Sequence, residues 1–359
     1  MTDFDELHDE LRSVARDLLK TPCPEWGVLA ASGWTGLEVP EDLDGAGATF
    51  AETAVVLREM GRAATQSPYL GAVLGVGTLL ALRPRAERDE LLRHVAAGEA
   101  IPVSAAGDGA IPFRMEGGLL RGRAEFIPDA AQATRLLLPA RAAGGDRVIV
   151  ALLPGTPGLR VRPQPVTDET RRLAIVTADG VEVPEGSVWQ FGDAAGRVPD
   201  RAAVAVACDS LGLMEAMLDK TVGYARVRQQ FGHPIGSFQA VQHACADMLV
   251  QVAIGRELVE AAVAAIPSGG PDAWVAASMA KSHVTAAAVD VVGKAMQLHG
   301  GIGYTWESGI HAYLKRAALN RALFGSPAEH RRRLAGRYRA LGPASWQPSG
   351  GPARRALDW

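Results

Sequence analysis

Tyr224-Ala225-Arg226-Val227-Arg228-Gln229-Gln230-Phe231-Gly232-His233-Pro234-Ile235-Gly236 marks the place where one long helical stretch stops and the next has not begun. Upstream, residues 199–228 are rich in Ala and Leu and almost free of proline; downstream, 238–266 and 272–299 repeat that texture. A helix of about 30 residues spans about 45 Å, so three such segments predict helices packed side by side as a bundle. A second break, Gln297-Leu298-His299-Gly300-Gly301-Ile302-Gly303-Tyr304, closes the third segment.

The N-terminal part also reads as helical, with a different grain. Phe4, Leu7, Leu11, Val14 and Leu18 recur at three- and four-residue steps, which gives one apolar stripe. Trp34–Pro40 interrupts the pattern, Asp44-Gly45-Ala46-Gly47 makes a turn, and helical periodicity resumes over Phe50–Ala64 and near Leu91–Ala97. The Gly45/Gly47 pair is a turn before a helix and not a dinucleotide loop, because a third glycine and a preceding strand are missing. From Ile101 to about Trp189, short apolar runs (135–139, 147–153, 173–177) alternate with Gly, Pro and Asp clusters, as in an antiparallel β domain. Val181-Glu182-Val183-Pro184 reads as its last strand. The expectation is an α+β chain: an N-terminal helical domain over 1–100, a β domain over 101–195, a helical bundle over 196–340 and a tail over 341–359 that reads as a poorly ordered extension or a subunit contact.

Composition narrows the classes. The 359 residues exceed the size at which one core usually stops growing, and 48% hydrophobic with 21% charged residues describes a globular protein. Net charge is -3, from 37 basic and 40 acidic residues mixed along the chain, so no basic block points to nucleic acid. Cys23, Cys208 and Cys245 are widely spaced and form no CxxC, and His243, His283, His299 and His311 follow no metal-ligand spacing, so no metal site is expected. The acidic start has no signal-like segment and no apolar run reaches the ~18 residues of a membrane span, which places the expectation in the cytoplasm.

The two breaks together resemble the flavin-contacting elements in the C-terminal helical domain of acyl-CoA dehydrogenases. The resemblance runs over nearly the whole chain; it is strongest over 198–335 and weak in the β domain. It implies FAD as cofactor, with Arg228 on the pyrophosphate, because a guanidinium forks onto phosphate oxygens. Gln230 and Phe231 would line the cofactor and Gln239 would reach it from a neighbouring subunit. Gln297, Gly300, Gly301 and Gly303 would receive the ADP part across a subunit boundary. On the residues alone, Arg228 could instead cap its own helix and the glycines could be a plain turn.

The sequence departs from the family where the chemistry should be. The base that the resemblance implies, a Glu before Gly and Thr or Ser, falls on Phe324-Gly325-Ser326, and the family's alternative position, early in the helix that begins near Asp200, falls on Ala202. Asp209, seven residues past Ala202 in an apolar stretch, is the on-chain candidate base, with a raised pKa expected from its surroundings; a structural acid paired with an Arg or His of another helix is the competing reading. Asp200 reads as a helix N-cap. In the β domain the segments that frame a flavin ring correspond to Val103–Ala106 and Phe126-Ile127-Pro128, where Pro128 has neither hydroxyl nor N–H. Trp34, Trp274 and Trp306 read as packing residues.

The activity implied is α,β-dehydrogenation of an acyl-CoA thioester, with a bulky, steroid-like acyl group, an electron-transfer flavoprotein as acceptor and a homo- or heterotetrameric assembly. The gaps resemble actinobacterial dehydrogenases built from two different subunits, and Phe324–Arg331 resembles sequences of that group. Two alternatives stand beside it: a non-catalytic partner that completes the FAD or CoA site of a sister subunit, and a flavin monooxygenase or oxidase on the same fold.

Overall fold

The computed structural model describes residues 3–106, 111–192, 196–268, 270 and 272–341; the tail expected over 341–359 falls, beyond Leu341, outside the described residues. Five helices come first: α1 (Asp3–Leu18), α2 (Trp26–Ala31), α3 (Phe50–Ala63), α4 (Tyr69–Leu80) and α5 (Ala86–Ala96). Thr49 and Glu52 start α3 with a reciprocal capping box: the Thr49 hydroxyl accepts from the Ala51 N–H at 3.1 Å, and Glu52 accepts from the Thr49 N–H at 2.8 Å. Periodicity alone passes over α4, because it is apolar nearly all round and buried from Tyr69 to Leu79.

Eight strands follow: β1 (Pro102–Ser104), β2 (Phe113–Glu116), β3 (Leu119–Pro128), β4 (Arg135–Arg141), β5 (Arg147–Leu152), β6 (Leu159–Gln164), β7 (Leu173–Glu182) and β8 (Val188–Gln190). They form one sheet in the order β6-β7-β3-β2-β4-β5-β8, with β1 beside β4. The sheet is mixed, which corrects the antiparallel expectation: β4 pairs in parallel with both β1 and β2. Val181 and Glu182 end β7, and the last strand is β8, whose Trp189 is buried.

The three predicted long helices are α6 (Val198–Val227), α7 (Gln239–Ser268) and α8 (Ala273–His299), separated by a hairpin of β9 (Gln229–Gln230) and β10 (His233–Pro234) and followed by α9 (Ile310–Ala322) and α10 (Pro327–Leu341). α6 is the axis of the molecule. It is buried without interruption from Asp200 to Met217. Two glycines let α3 lie directly on it. A Cβ on Gly61 would stand 1.9 Å from the Asp209 carbonyl oxygen, and one on Gly212 would stand 1.9 Å from that of Arg58. Leu29, Trp34, Phe50, Leu57 and Tyr69 of the N-terminal helical region therefore share one core with Ala205, Leu211, Val284 and Tyr313 of the bundle. α4 presses its other side on the sheet, since a Cβ on Gly75 would meet the Pro102 carbonyl oxygen at 2.0 Å.

Asp200 corrects the cap expectation. It sits in the first turn of α6 behind Pro199, while Arg197 occupies the cap position without a side-chain bond. Its carboxylate accepts from Arg333 of α10 at 2.5 Å.

Candidate functional site

The end of α6 sets the geometry of the first motif. Arg228 leaves the helix in an extended conformation, and β9 and β10 pair Gln230 with His233 across a two-residue turn. Both turn residues have positive φ: Phe231 at 53° and Gly232 at 82°. That is the mirror-type turn whose twist suits a hairpin. Glycine takes this conformation freely, whereas a phenylalanine in it costs about 1–2 kcal/mol. The ring gains little from the chain itself, being 90% exposed, with Phe238 edge-on to it at 6.3 Å between centroids. Strained backbone under an exposed aromatic points to a contact outside the chain.

Arg228 is exposed, and among the described residues its guanidinium makes no ion pair and no bond to its own helix. The competing self-capping role is not realised. Gln230 is exposed beside it, and Gln239 opens α7, also exposed.

The second motif ends α8. Gly300 has φ 63° and ψ -142°, a region only glycine tolerates. Gly303 is a packing requirement, since its Cβ would stand 2.5 Å from the Met296 carbonyl oxygen. Gly301 faces open space, as does Gly300, so a ligand can approach their backbone; Gln297 is exposed beside them. The two motifs meet in one chain. Tyr224, at the end of α6, stacks on His299 at 4.5 Å and 21°, and His299 Nδ1–H donates to the Ala295 carbonyl at 2.7 Å.

A cleft of about 410 Å³ opens between the sheet and the bundle, with Phe126 on one wall and Phe324 on the other; Arg123, Glu125, Ala106 and Leu319 complete it. Phe126 sits where the β3–β7 register slips, at φ 57°, and its N–H donates to Gln164 Oε1 at 2.8 Å. This bulge turns the ring out of the strand. Phe324 (φ 56°) and Gly325 (φ 90°) form a second left-handed pair. His330 of α10 holds that pair, its Nε2–H donating to the Phe324 carbonyl at 3.0 Å; burial lowers its basicity, which keeps the ring neutral. The two β-domain and C-terminal positions flagged in the sequence thus face one cavity, and both present rings. The buried Ser104 Oγ, near the Ala106 side of this region in sequence, has no hydrogen-bond partner.

Asp209 is not at the cleft. It is fully buried between α6, α9 and the start of β7, and three side chains hold it. Arg316 donates from Nε to Oδ2 at 3.0 Å and from Nη2 to Oδ1 at 2.5 Å, Asn320 Nδ2 donates at 2.6 Å, and Arg171 Nη2 stands 2.9 Å away. Burial alone would raise its pKa, but the two guanidinium charges and the hydrogen bonds win and bring it down to about 2. The raised pKa expected from the apolar stretch is corrected, and with it the reading of Asp209 as the base: a carboxylate so held neither takes a proton near neutrality nor reaches a substrate. Ala202, 5% exposed, also lies in the core. Sequence reasoning missed the partners. Arg316 and Asn320, four apart on α9, were the available signal, two polar residues on the face that also carries the buried Tyr313 and Ala317. Trp306 is a further correction: it is 71% exposed, with Lys315 Nζ 4.8 Å from its ring centre.

Comparison with known proteins agrees with this arrangement. The family profile "Acyl-CoA dehydrogenase, C-terminal domain" matches residues 198–338, and "Acyl-CoA dehydrogenase, N-terminal domain" matches 5–99. The acyl-CoA dehydrogenase IpdE2 of Mycolicibacterium smegmatis is 35% identical over 310 residues, 86% of each chain. IpdE2 of Mycobacterium tuberculosis is 36% identical over 320 residues, 86% of this chain and 85% of that one. Among solved structures, a variant of the Tcur3481-Tcur3483 steroid ACAD superposes with a TM-score of 0.84 at 28% identity, covering 95% of this chain and 99% of that one. The matched profiles, the relatives and the helix–sheet–helix order agree: the chain belongs to the acyl-CoA dehydrogenase family.

Proposed function

We propose that this chain is one subunit of a composite, FAD-dependent acyl-CoA dehydrogenase, and that the carboxylate base comes from a sister chain. The observation that carries the reading is the pairing of a ready dinucleotide surface with a cleft that, among the described residues, holds no free carboxylate. Arg228 has no partner among the described residues, and Gly300 and Gly301 leave their backbone open, so the hairpin and glycine loop suit a pyrophosphate and its adenosine. At the cleft, Phe324 takes the place of the family's base, Asp209 is locked away, and Glu125 is paired with Arg123 at 2.6 Å.

FAD, when bound, supplies the hydride acceptor, and an electron-transfer flavoprotein is the expected oxidant. This chain's residues do the rest of the work available to them. Arg228 neutralises phosphate charge, while Gln230, Gln239 and Gln297 offer amide hydrogen bonds around it. Gly303 holds the loop against α8. Phe126 and Phe324 exclude water from the cleft between them, which strengthens electrostatic interactions inside it. The similarity to a solved structure described as a steroid ACAD favours a bulky acyl group. The exposed apolar residues Val227 at the end of α6, Phe231 on the hairpin and Leu249, Val250 and Ile254 on α7 supply a surface on which a second subunit would seat.

Expression with and without a neighbouring dehydrogenase-like chain tests the reading. The expected outcome is a colourless, inactive lone chain and a yellow, active two-chain assembly whose turnover is lost when the sister's carboxylate is replaced. A lone chain that forms a homotetramer with full flavin and full dehydrogenase activity would overturn it.

A further inference from the structure

The outward face of the sheet carries arginines in register. Arg114 of β2 stands directly opposite Arg121 of β3, and Arg121 stands opposite Asp179 of β7. One step along, Arg123 of β3, Thr177 of β7 and Arg160 of β6 lie in one row, and Arg162 follows opposite Ile175. Residues directly opposite on paired strands share a face, so all five arginines point the same way. All five are exposed.

The local acids do not balance them. Asp179 is shared between Arg121 at 3.5 Å and Arg160 at 3.1 Å, and Glu125 serves Arg123. Arg114 and Arg162 make no ion pair among the described residues. Glu116 and Glu182 stand at the far end of the same strands, opposite Leu119, away from the cleft. Like charges directly opposite on a sheet destabilise it, so the Arg114–Arg121 pair is a cost that an anionic ligand would relieve.

The row also has a direction. Arg123 lines the Phe126–Phe324 cleft itself. At about 3.3 Å per residue along β3, Arg123 lies about 10 Å and Arg121 about 16 Å from Phe126. A ligand with an apolar end in the cleft and phosphates on a linear arm would therefore place its charges over the arginines.

We propose that the outer face of β2, β3, β7 and β6 binds the 3′-phospho-ADP part of coenzyme A, with Arg114, Arg121, Arg160 and Arg162 as its phosphate ligands. This rests on the thioester reading of the cleft and adds the surface that would hold the carrier.

Calorimetry with free coenzyme A, 3′-dephospho-coenzyme A and ADP tests it on the purified protein. The wild type is expected to bind coenzyme A more tightly than the dephospho form, with affinity falling as salt rises. Arg160→Gln/Arg162→Gln should raise the Kd for coenzyme A about tenfold and abolish the preference for the 3′-phosphate, with flavin content unchanged. Asp179→Asn, which removes the competing acid, should tighten binding. Equal Kd values for wild type and the double variant overturn the proposed surface and leave the functional reading standing. A flavin-loaded wild type that binds no coenzyme A overturns both, and equal affinity for ADP and coenzyme A assigns the face to a generic nucleotide and overturns the 3′-phosphate assignment.

Discussion

Replacing Asp209 by Asn separates the two roles its position invites. The carboxylate neutralises Arg316 and Arg171 in a site with no water access, and all three side chains are at most 5% exposed. Asparagine keeps the shape but turns one acceptor into an N–H donor, which then faces guanidinium and amide donors. Removing one partner of a buried ion pair costs about 3–5 kcal/mol. Asn retains one accepting oxygen, so about 3 kcal/mol is expected. The same logic fixes the pH dependence. The folded pKa is held at about 2, below the ordinary 3.8, so the stabilisation is complete above about pH 4 and is lost as pH falls through 2. Urea unfolding followed by circular dichroism should show the loss at pH 7, and the gap between wild type and Asp209→Asn should close on acidification. Turnover per folded, flavin-bearing assembly should stay near wild type. A variant within about 1 kcal/mol of wild-type stability whose turnover drops at least 100-fold, the usual scale for a lost general base, would make Asp209 catalytic and refute the argument.

Arg228→Ala should leave the fold intact, since its side chain has no partner among the described residues, and strip flavin from the purified assembly; unchanged visible flavin absorbance per subunit counts against the clasp. Phe231→Asn should stabilise the isolated chain by about 1 kcal/mol, because Asn adopts positive φ more readily, while weakening assembly or flavin retention; a gain in both would remove the functional meaning of the strain. Asp129, buried and raised to about 6 by desolvation despite the Gly71 N–H it accepts, should oppose folding as pH rises through 6. Its rise from 3.8 corresponds to about 3 kcal/mol, so Asp129→Asn should be more stable than wild type at pH 8 and no more stable at pH 4, read by thermal unfolding. Gly303→Ala must displace the Met296 carbonyl and should cost about 1–3 kcal/mol along with cofactor affinity, measured by the same two assays.

The helical bundle was legible because three segments of about 30 residues have no competing interpretation at that length. Their boundaries in the structure fall within a residue or two of those drawn from composition. The sheet was legible as strands but not as topology. Nothing local in Pro102–Ser104 or Phe113–Glu116 says that both run parallel to β4, because strand direction is set by the path of the chain and not by the strand's own residues. The misreading of Asp209 has the same origin. Its neighbours in sequence are Cys208 and Ser210, and an apolar segment does raise an isolated carboxylate. Arg316 and Arg171, 107 and 38 positions away, reverse the sign, and they arrive only with the fold.

What sequence and structure establish jointly is where the chain spends unfavourable conformation. Phe126, Phe231 and Phe324 are three phenylalanines at positive φ, a conformation that a bulky residue rarely adopts. One is the exposed tip of the hairpin and the other two face each other across the cleft. Each is held by something specific: a Gln164 hydrogen bond, a two-residue hairpin turn and the His330 bond to the Phe324 carbonyl. If the rings served only this chain's core, they would be buried in relaxed backbone, as Phe50 and Phe113 are. Phe126 and Phe231 instead stand 47% and 90% exposed. Two strained rings turned outward suit surfaces completed by another molecule, and that is the ground on which the proposed composite site seeks its carboxylate on a neighbouring chain and not deeper in this one.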